Sequence, residues 1–242
     1  MTALVLAVLG LIAGIFVEGI VSSYHFNASF WPWPRCRQCG RLAPPSGLLR
    51  PRCAGCGRAR RARALQIAAA TALAFYLLGG QYWGHPLLLA VSVFEAALLV
   101  AVLFIDLELR LIPTLLVGLL VALALGSAAA WPGLGVQSAL LGAALGYLSF
   151  GAMVVLAHVV FGEGALGIGD ANLALAIGCI TGYPLVILAL STGVFLGGLG
   201  AIALIVCGRH GLRSTMPYGP YLVLAVLYVL ARGNTMSLHF PL

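Results

Sequence analysis

The stretch from Pro86 to Asp106, PLLLAVSVFEAALLVAVLFID, decides the fold class. Before its terminal aspartate it carries one ionisable side chain, Glu95, among Leu, Val, Ala and Phe. A helix of this length reaches about 30 Å, the thickness of a bilayer's hydrocarbon core. Apolar stretches recur along the chain, and their spacing predicts eight helices, over 2–23, 64–81, 86–105, 112–130, 136–160, 171–182, 185–207 and 218–231. Composition agrees: the 242 residues are 62% hydrophobic and 8% charged, with a mean hydropathy of +1.08. A soluble domain carries roughly a quarter charged residues. The sequence therefore predicts an all-α polytopic membrane protein of about eight transmembrane helices, with lipid as its solvent. The first stretch, Thr2 to Val21, has neither a basic start nor a small-residue cleavage site, which predicts a retained helix and not a removable signal peptide.

All 13 basic residues are Arg, and nine of them lie between the first and second helices: Arg35, Arg37, Arg41, Arg50, Arg52, Arg58, Arg60, Arg61 and Arg63. Such a run can suit nucleic acid, but membrane flanks it on both sides, so it reads as topology: basic loops stay cytoplasmic. With this loop inside, alternation puts 106–110, 161–170 and 208–217 inside too, and leaves only Arg232 of the 13 outside. No nucleic-acid partner is expected.

Residues 24–63 form the one segment with the composition of a separate module. Within it, Cys36-Arg-Gln-Cys39-Gly40 and Cys53-Ala-Gly-Cys56-Gly57 are two CxxCG knuckles separated by 13 residues. Four thiolates close a tetrahedral zinc site and leave no position for water, so the expected zinc is structural. The glycines let the backbone turn and aim amides at the sulfurs. Two disulfides are the competing reading, and a reducing cytoplasmic loop disfavours them. Cys179 and Cys207, within apolar helices, read as packing residues.

Six acids exist in the chain. Glu18 and Glu95 fall inside helices, where an ionisable group is either functional or a neutral, hydrogen-bonded packing residue; the sequence leaves both open. Asp106 ends the third helix in FIDLELRLIP (104–113), and Asp170 opens the sixth in GIGDANL (167–173). Singly, Asp106 reads as an interfacial helix end and Asp170 as a helix cap. Together on one membrane face they fit an aspartic dyad, in which two neighbouring acids share a proton. Gly167 and Gly169 would let a substrate strand approach Asp170 closely. Glu163 and Glu108 are the acids left on that face to receive a basic substrate segment, with pairing to Arg110 the competing reading of Glu108.

These residues resemble the type IV prepilin peptidase family of GxGD-class membrane aspartic proteases. Asp106 with Ile112-Pro113 is similar to its first catalytic motif, and FGEGALGIGD (161–170) to its second. MPYGPYL (216–222) is similar to the segment that begins its last helix, and the paired CxxC loop resembles its bacterial branch. The resemblance implies that Asp106 and Asp170 are catalytic. It implies cleavage of a basic leader after a Gly, from prepilins or pseudopilins, on the cytoplasmic side of the bacterial plasma membrane. The implied organisation is a first helix over 1–23, a cytoplasmic four-Cys zinc module over 24–63, and a membrane peptidase domain over 64–242.

Many bacterial members also methylate the new N-terminus from S-adenosylmethionine, and here the chain departs from the family. Asn172 stands where Lys is usual, Glu18 where Asn is common, and Gln66 where Glu often opens the second helix. Residues 41–52 contain three Arg and neither an acid nor an aromatic. A sulfonium donor would be repelled there, so cleavage without efficient methylation is expected, and S-adenosylmethionine is a cofactor only if the second activity is retained. Two readings from other classes compete: a non-catalytic assembly subunit, disfavoured by retention of both aspartates, and a small-solute transporter using Glu18 and Glu95. A transporter predicts inverted repeats and broken midplane helices, and the sequence has neither.

Overall fold

A computed structural model describes residues 2–26, 33–36, 38–42, 53, 55–57, 61–82, 84–131, 134–161, 167–207 and 217–232. Among them are eight α-helices: α1 (Thr2–His25), α2 (Arg61–Tyr82), α3 (Pro86–Leu109), α4 (Thr114–Ser127), α5 (Gly135–Phe161), α6 (Ile168–Thr181), α7 (Leu185–Val206) and α8 (Gly219–Ala231). A single 3-10 turn over Ala128–Ala130 follows α4. Every helix falls where the hydropathy places one, with ends shifted by a few residues.

Five helices, α1, α2, α3, α5 and α7, are long and apolar enough to cross a membrane. The others are shorter: α4 and α6 have 14 residues and α8 has 13. At 1.5 Å per residue these reach about 20 Å, less than the hydrocarbon thickness. A short helix is tolerated at membrane depth where protein surrounds it. That is the condition of α6, which touches α4, α5, α7 and α8, and is buried at nearly every position from Asp170 to Thr181. The eight expected spans are thus five full-length helices and three short ones.

The chain divides into two compact units, Met1–Leu109 and Arg110–Leu242. In the first, α1 and α2 pack along their length and both touch α3. Lipid offers no hydrophobic drive between helices, so close packing of small residues must supply the contact. Gly10 and Gly14 of α1 do this: a Cβ at Gly14 would lie 2.5 Å from the Cα of Ala68, and one at Gly10 2.7 Å from that of Ala72. The second unit repeats the device, with Gly142 and Gly146 of α5 against the carbonyls of Gly178 and Ala174 of α6. Outward-facing Leu4, Val8, Leu11 and Ile12 of α1, and Phe195, Leu199 and Ile202 of α7, form the apolar exterior that lipid would cover.

Two helix ends differ from expectation in ways that matter for the acids. α3 continues past residue 105 to Leu109, since nothing before Pro113 breaks it; Arg110, at φ 52°, then takes the left-handed conformation that ends helices. Asp106 therefore lies inside the last turn. α6 starts at Ile168, so Asp170 is its third residue and not its first.

Candidate functional site

The thiol module is built from two matching turns. Gly40 and Gly57 both take positive φ, 67° and 71°, which a side chain would resist. That conformation lets the Gly40 N–H donate to the Cys36 carbonyl at 2.8 Å, and the Gly57 N–H to the Cys53 carbonyl at 2.9 Å. Amides that reach sulfur come from other residues, Gly55 donating to Cys53 Sγ at 3.4 Å among them, and the knuckle glycines shape the turn. An antiparallel bridge between Arg35 and Leu42 closes the first knuckle. The Arg35 N–H donates to Ser22 Oγ at 3.0 Å, which fastens this knuckle to α1.

All four sulfurs lie within 4.8 Å of one another, with Cys36–Cys56 and Cys39–Cys53 each at 3.6 Å. Four sulfurs about 2.3 Å from a tetrahedral zinc stand roughly 3.8 Å apart. The residues present therefore fit the ion, and the cysteines are free thiols rather than disulfides. Backbone amides of Gly55 and Cys56 hold the Cys53 thiol down to about 6. The Arg41 amide pulls Cys39 the same way, but burial and the three neighbouring thiols outweigh it and raise Cys39 to about 11. A cluster in which thiols press on one another's ionisation is one that a divalent cation would relieve.

Asp106 lies in the last turn of α3 and is 4% exposed. Two residues on, Glu108 pairs with Arg63 from the first turn of α2. The same guanidinium lies 3.5 Å from Glu18 of α1, which is 5% exposed. One arginine thus joins all three helices of the first unit. This ionic cluster is the functional-looking feature that sequence reasoning missed. The only available signal was that Glu18 and Arg63, the last of the nine loop arginines, have no oppositely charged neighbour in sequence. Glu95, deeper in α3, is 1% exposed and lies apart from the other acids in sequence.

Asp170 is 8% exposed. Its Oδ2 accepts the Gly167 N–H at 3.2 Å, while its own N–H donates to the Gly167 carbonyl at 3.1 Å, a reciprocal cap on α6. The helix-cap reading and the site reading of Asp170 are therefore compatible. The two glycines before it differ in kind. A Cβ on Gly169 would stand 3.0 Å from the Cβ of Ile112, whereas Gly167 has extended backbone (φ −90°, ψ 149°) and its nearest neighbour would be Asp170 Oδ2 at 3.6 Å. Ile112, six residues after Asp106, thus rests on the residue just before Asp170. Glu163 lies outside the described residues.

The aromatic segment before α8 belongs to the same unit. The Tyr218 O–H donates to the Val194 carbonyl at 3.2 Å, and its ring occupies the space left by Gly197.

The chain matches known proteins along most of its length. The model of the type IV leader peptidase family covers residues 93–202, which includes Asp106, Ile112-Pro113, Gly167, Gly169 and Asp170. Among curated relatives, a protein of Myxococcus xanthus (strain DK1622) is 31% identical over 229 residues, 88% of this chain and 66% of its own length. One of Dichelobacter nodosus is 29% identical over 80% of this chain and 69% of its own. One of Bacillus subtilis (strain 168) is 26% identical over 93% of both. Each bears the name prepilin leader peptidase/N-methyltransferase. The chain spans about two thirds of the length of the first two. No solved structure gives a significant match. With its motifs in family order on an all-helical membrane fold, the chain belongs to the type IV leader peptidase family.

Proposed function

We propose that this chain is an aspartic endopeptidase that removes the basic leader of type IV prepilins or pseudopilins, cutting after a Gly at the cytoplasmic face of the bacterial plasma membrane. One observation carries the reading most: Ile112, of the Ile-Pro pair that follows Asp106 in the sequence, lies against Gly169, the residue before Asp170. Both carboxyls are buried at helix ends on the face that the arginine distribution assigns to the cytoplasm.

In this reading one carboxylate accepts a proton from water, and the resulting hydroxide equivalent attacks the scissile carbonyl. The other carboxyl, protonated, donates to the carbonyl oxygen as negative charge develops there. Collapse of the tetrahedral intermediate breaks the C–N bond, and the leaving amine takes a proton from the dyad. The extended backbone at Gly167 is where a substrate strand would lie, close to Asp170. Glu163 would meet the leader's basic residues. Glu108, the other acid available for that task, has its carboxylate engaged by Arg63.

Zinc held by Cys36, Cys39, Cys53 and Cys56 would be structural and supply no step of the hydrolysis. The relatives' names include a methyltransferase. In this chain, Glu18, the one acid that could offset the arginines of the loop, is itself held by Arg63. We therefore read the protein as one that cleaves without efficient methylation. Membranes containing the chain, a prepilin from the same organism and S-adenosylmethionine test both halves in one mass spectrum. Loss of the leader with no added methyl group is expected. An intact leader refutes the peptidase, and a stoichiometric methyl gain refutes the second half.

A further inference from the structure

We propose that Arg63 is a positioning residue that fixes the last turn of α3, and with it Asp106; this rests on the peptidase reading above. Arg63 lies in the first turn of α2, where the positive end of the helix dipole disfavours a cation and no acid stands nearby in sequence. Its side chain is 15% exposed, and acids from two other helices hold it there: Glu18 of α1 at 3.5 Å and Glu108 of α3. The planar guanidinium offers donors in several directions at once, so one side chain can serve two carboxylates.

The geometry gives this cluster a consequence beyond its own charges. Glu108 follows Asp106 by two residues, roughly 200° around an α-helix. A hold on Glu108 from one side therefore sets the rotation at which Asp106 leaves the other side. The hold falls at the point where α3 is least constrained by its own backbone. Its last carbonyls have no intrahelical partner, and the chain turns at Arg110 through a conformation that an arginine adopts reluctantly. The cluster is also anchored away from α3. Glu18 lies one turn before Ser22, whose hydroxyl oxygen receives the Arg35 amide of the first cysteine knuckle. The same end of α1 therefore carries both the thiol module and the arginine.

The test is the kinetics of leader removal from a synthetic prepilin peptide by the full chain in lipid nanodiscs, with thermal unfolding measured on the same samples. Arg63→Gln should lower kcat about 10–100-fold, the cost of a displacement near 1 Å, and leave KM within about twofold. Arg63→Lys should fall between wild type and Arg63→Gln, because a point charge serves two acids less well. Glu108→Gln, which leaves Arg63 paired with Glu18, should also lower kcat, and the double variant should be no worse than Arg63→Gln alone. Normal kcat per folded molecule in Arg63→Gln and Glu108→Gln overturns the proposal, as does a loss explained wholly by less folded protein. If Arg63→Gln fails to insert, Glu108→Gln decides by the same criterion. A wild-type chain that removes no leader overturns the peptidase reading and this proposal with it, whereas a cleaving wild type with indifferent variants overturns this proposal alone.

Discussion

An alanine at position 169 would set its Cβ 3.0 Å from the Cβ of Ile112 and 3.6 Å from its Cγ1 and Cδ1. Carbon atoms pack best at about 3.5–4.0 Å, so one side must yield by roughly 0.5–1 Å. Ile112 is β-branched and followed by Pro113, which leaves its backbone little room to retreat. The shift is expected to fall on the first turn of α6, whose next residue is Asp170. Overpacking of this kind costs about 1–3 kcal/mol in stability, and a reacting group displaced by about 1 Å can cost ~100-fold in rate. Gly169→Ala should therefore cut kcat by about 10–100-fold while the protein still inserts. Ile112→Ala in the same background should restore only part of the rate, since it trims the outer carbons and leaves the offending Cβ. Gly167→Ala is the contrast: its new carbon makes ordinary contact at 3.6 Å, so stability should hold, and KM should rise if a substrate strand crosses that glycine. Initial rates of leader removal, read beside unfolding midpoints, give both quantities. A Gly169→Ala enzyme within twofold of wild-type kcat would refute the reasoning, because it would show that the Ile112–Gly169 contact does not set the place of Asp170.

Three further outcomes follow from the same features. Purified protein should hold one zinc per chain, lost when Cys36 and Cys39 become Ser, and stability should fall before intrinsic activity does; metal analysis finding no zinc would contradict this. In zinc-stripped protein, Cys53, with its thiol held down to about 6, is mostly thiolate at pH 7 and should be alkylated before Cys39, whose thiol is raised to about 11; alkylation of Cys53 should slow as pH drops through 6, the preference over Cys39 should narrow only as pH rises toward 11, and mass mapping of the adducts checks both. Glu163→Gln should raise KM a few-fold with kcat unchanged, the signature of lost uniform binding, and the effect should shrink in high salt; flat kinetics across a salt series would argue against it.

How far the sequence revealed this protein depends on the range of each interaction. The helices were legible because lipid leaves no choice about backbone hydrogen bonds, so twenty apolar residues in a row admit few structures. The cysteine module was legible because the glycine after each pair marks a backbone turn that other residues resist, and Gly40 and Gly57 take it. The helix ends were less so: α3 stops at Arg110, a residue that carries no stop signal of its own. The length of a span and its burial are also separate matters: the sixth helix, expected over only 171–182, was counted among the spans and is a short helix packed against four others. Least legible was the Arg63 cluster, since Glu18, Arg63 and Glu108 meet only once α1, α2 and α3 are packed. For the same reason Gly167 and Gly169 looked equivalent in sequence, and only the approach of Ile112 separates them.

The central claim is that Asp106 and Asp170 act as one unit, and the measurement that bears on it most directly is the rate of leader removal by Asp106→Asn, Asp170→Asn and the double variant, each shown to be inserted and folded. If the two carboxyls share one proton and one reaction, each single variant should lose nearly as much activity as the double, because either half alone does little. Either single variant turning over near the wild-type rate, or two partial losses that multiply in the double as independent effects would, contradicts the account.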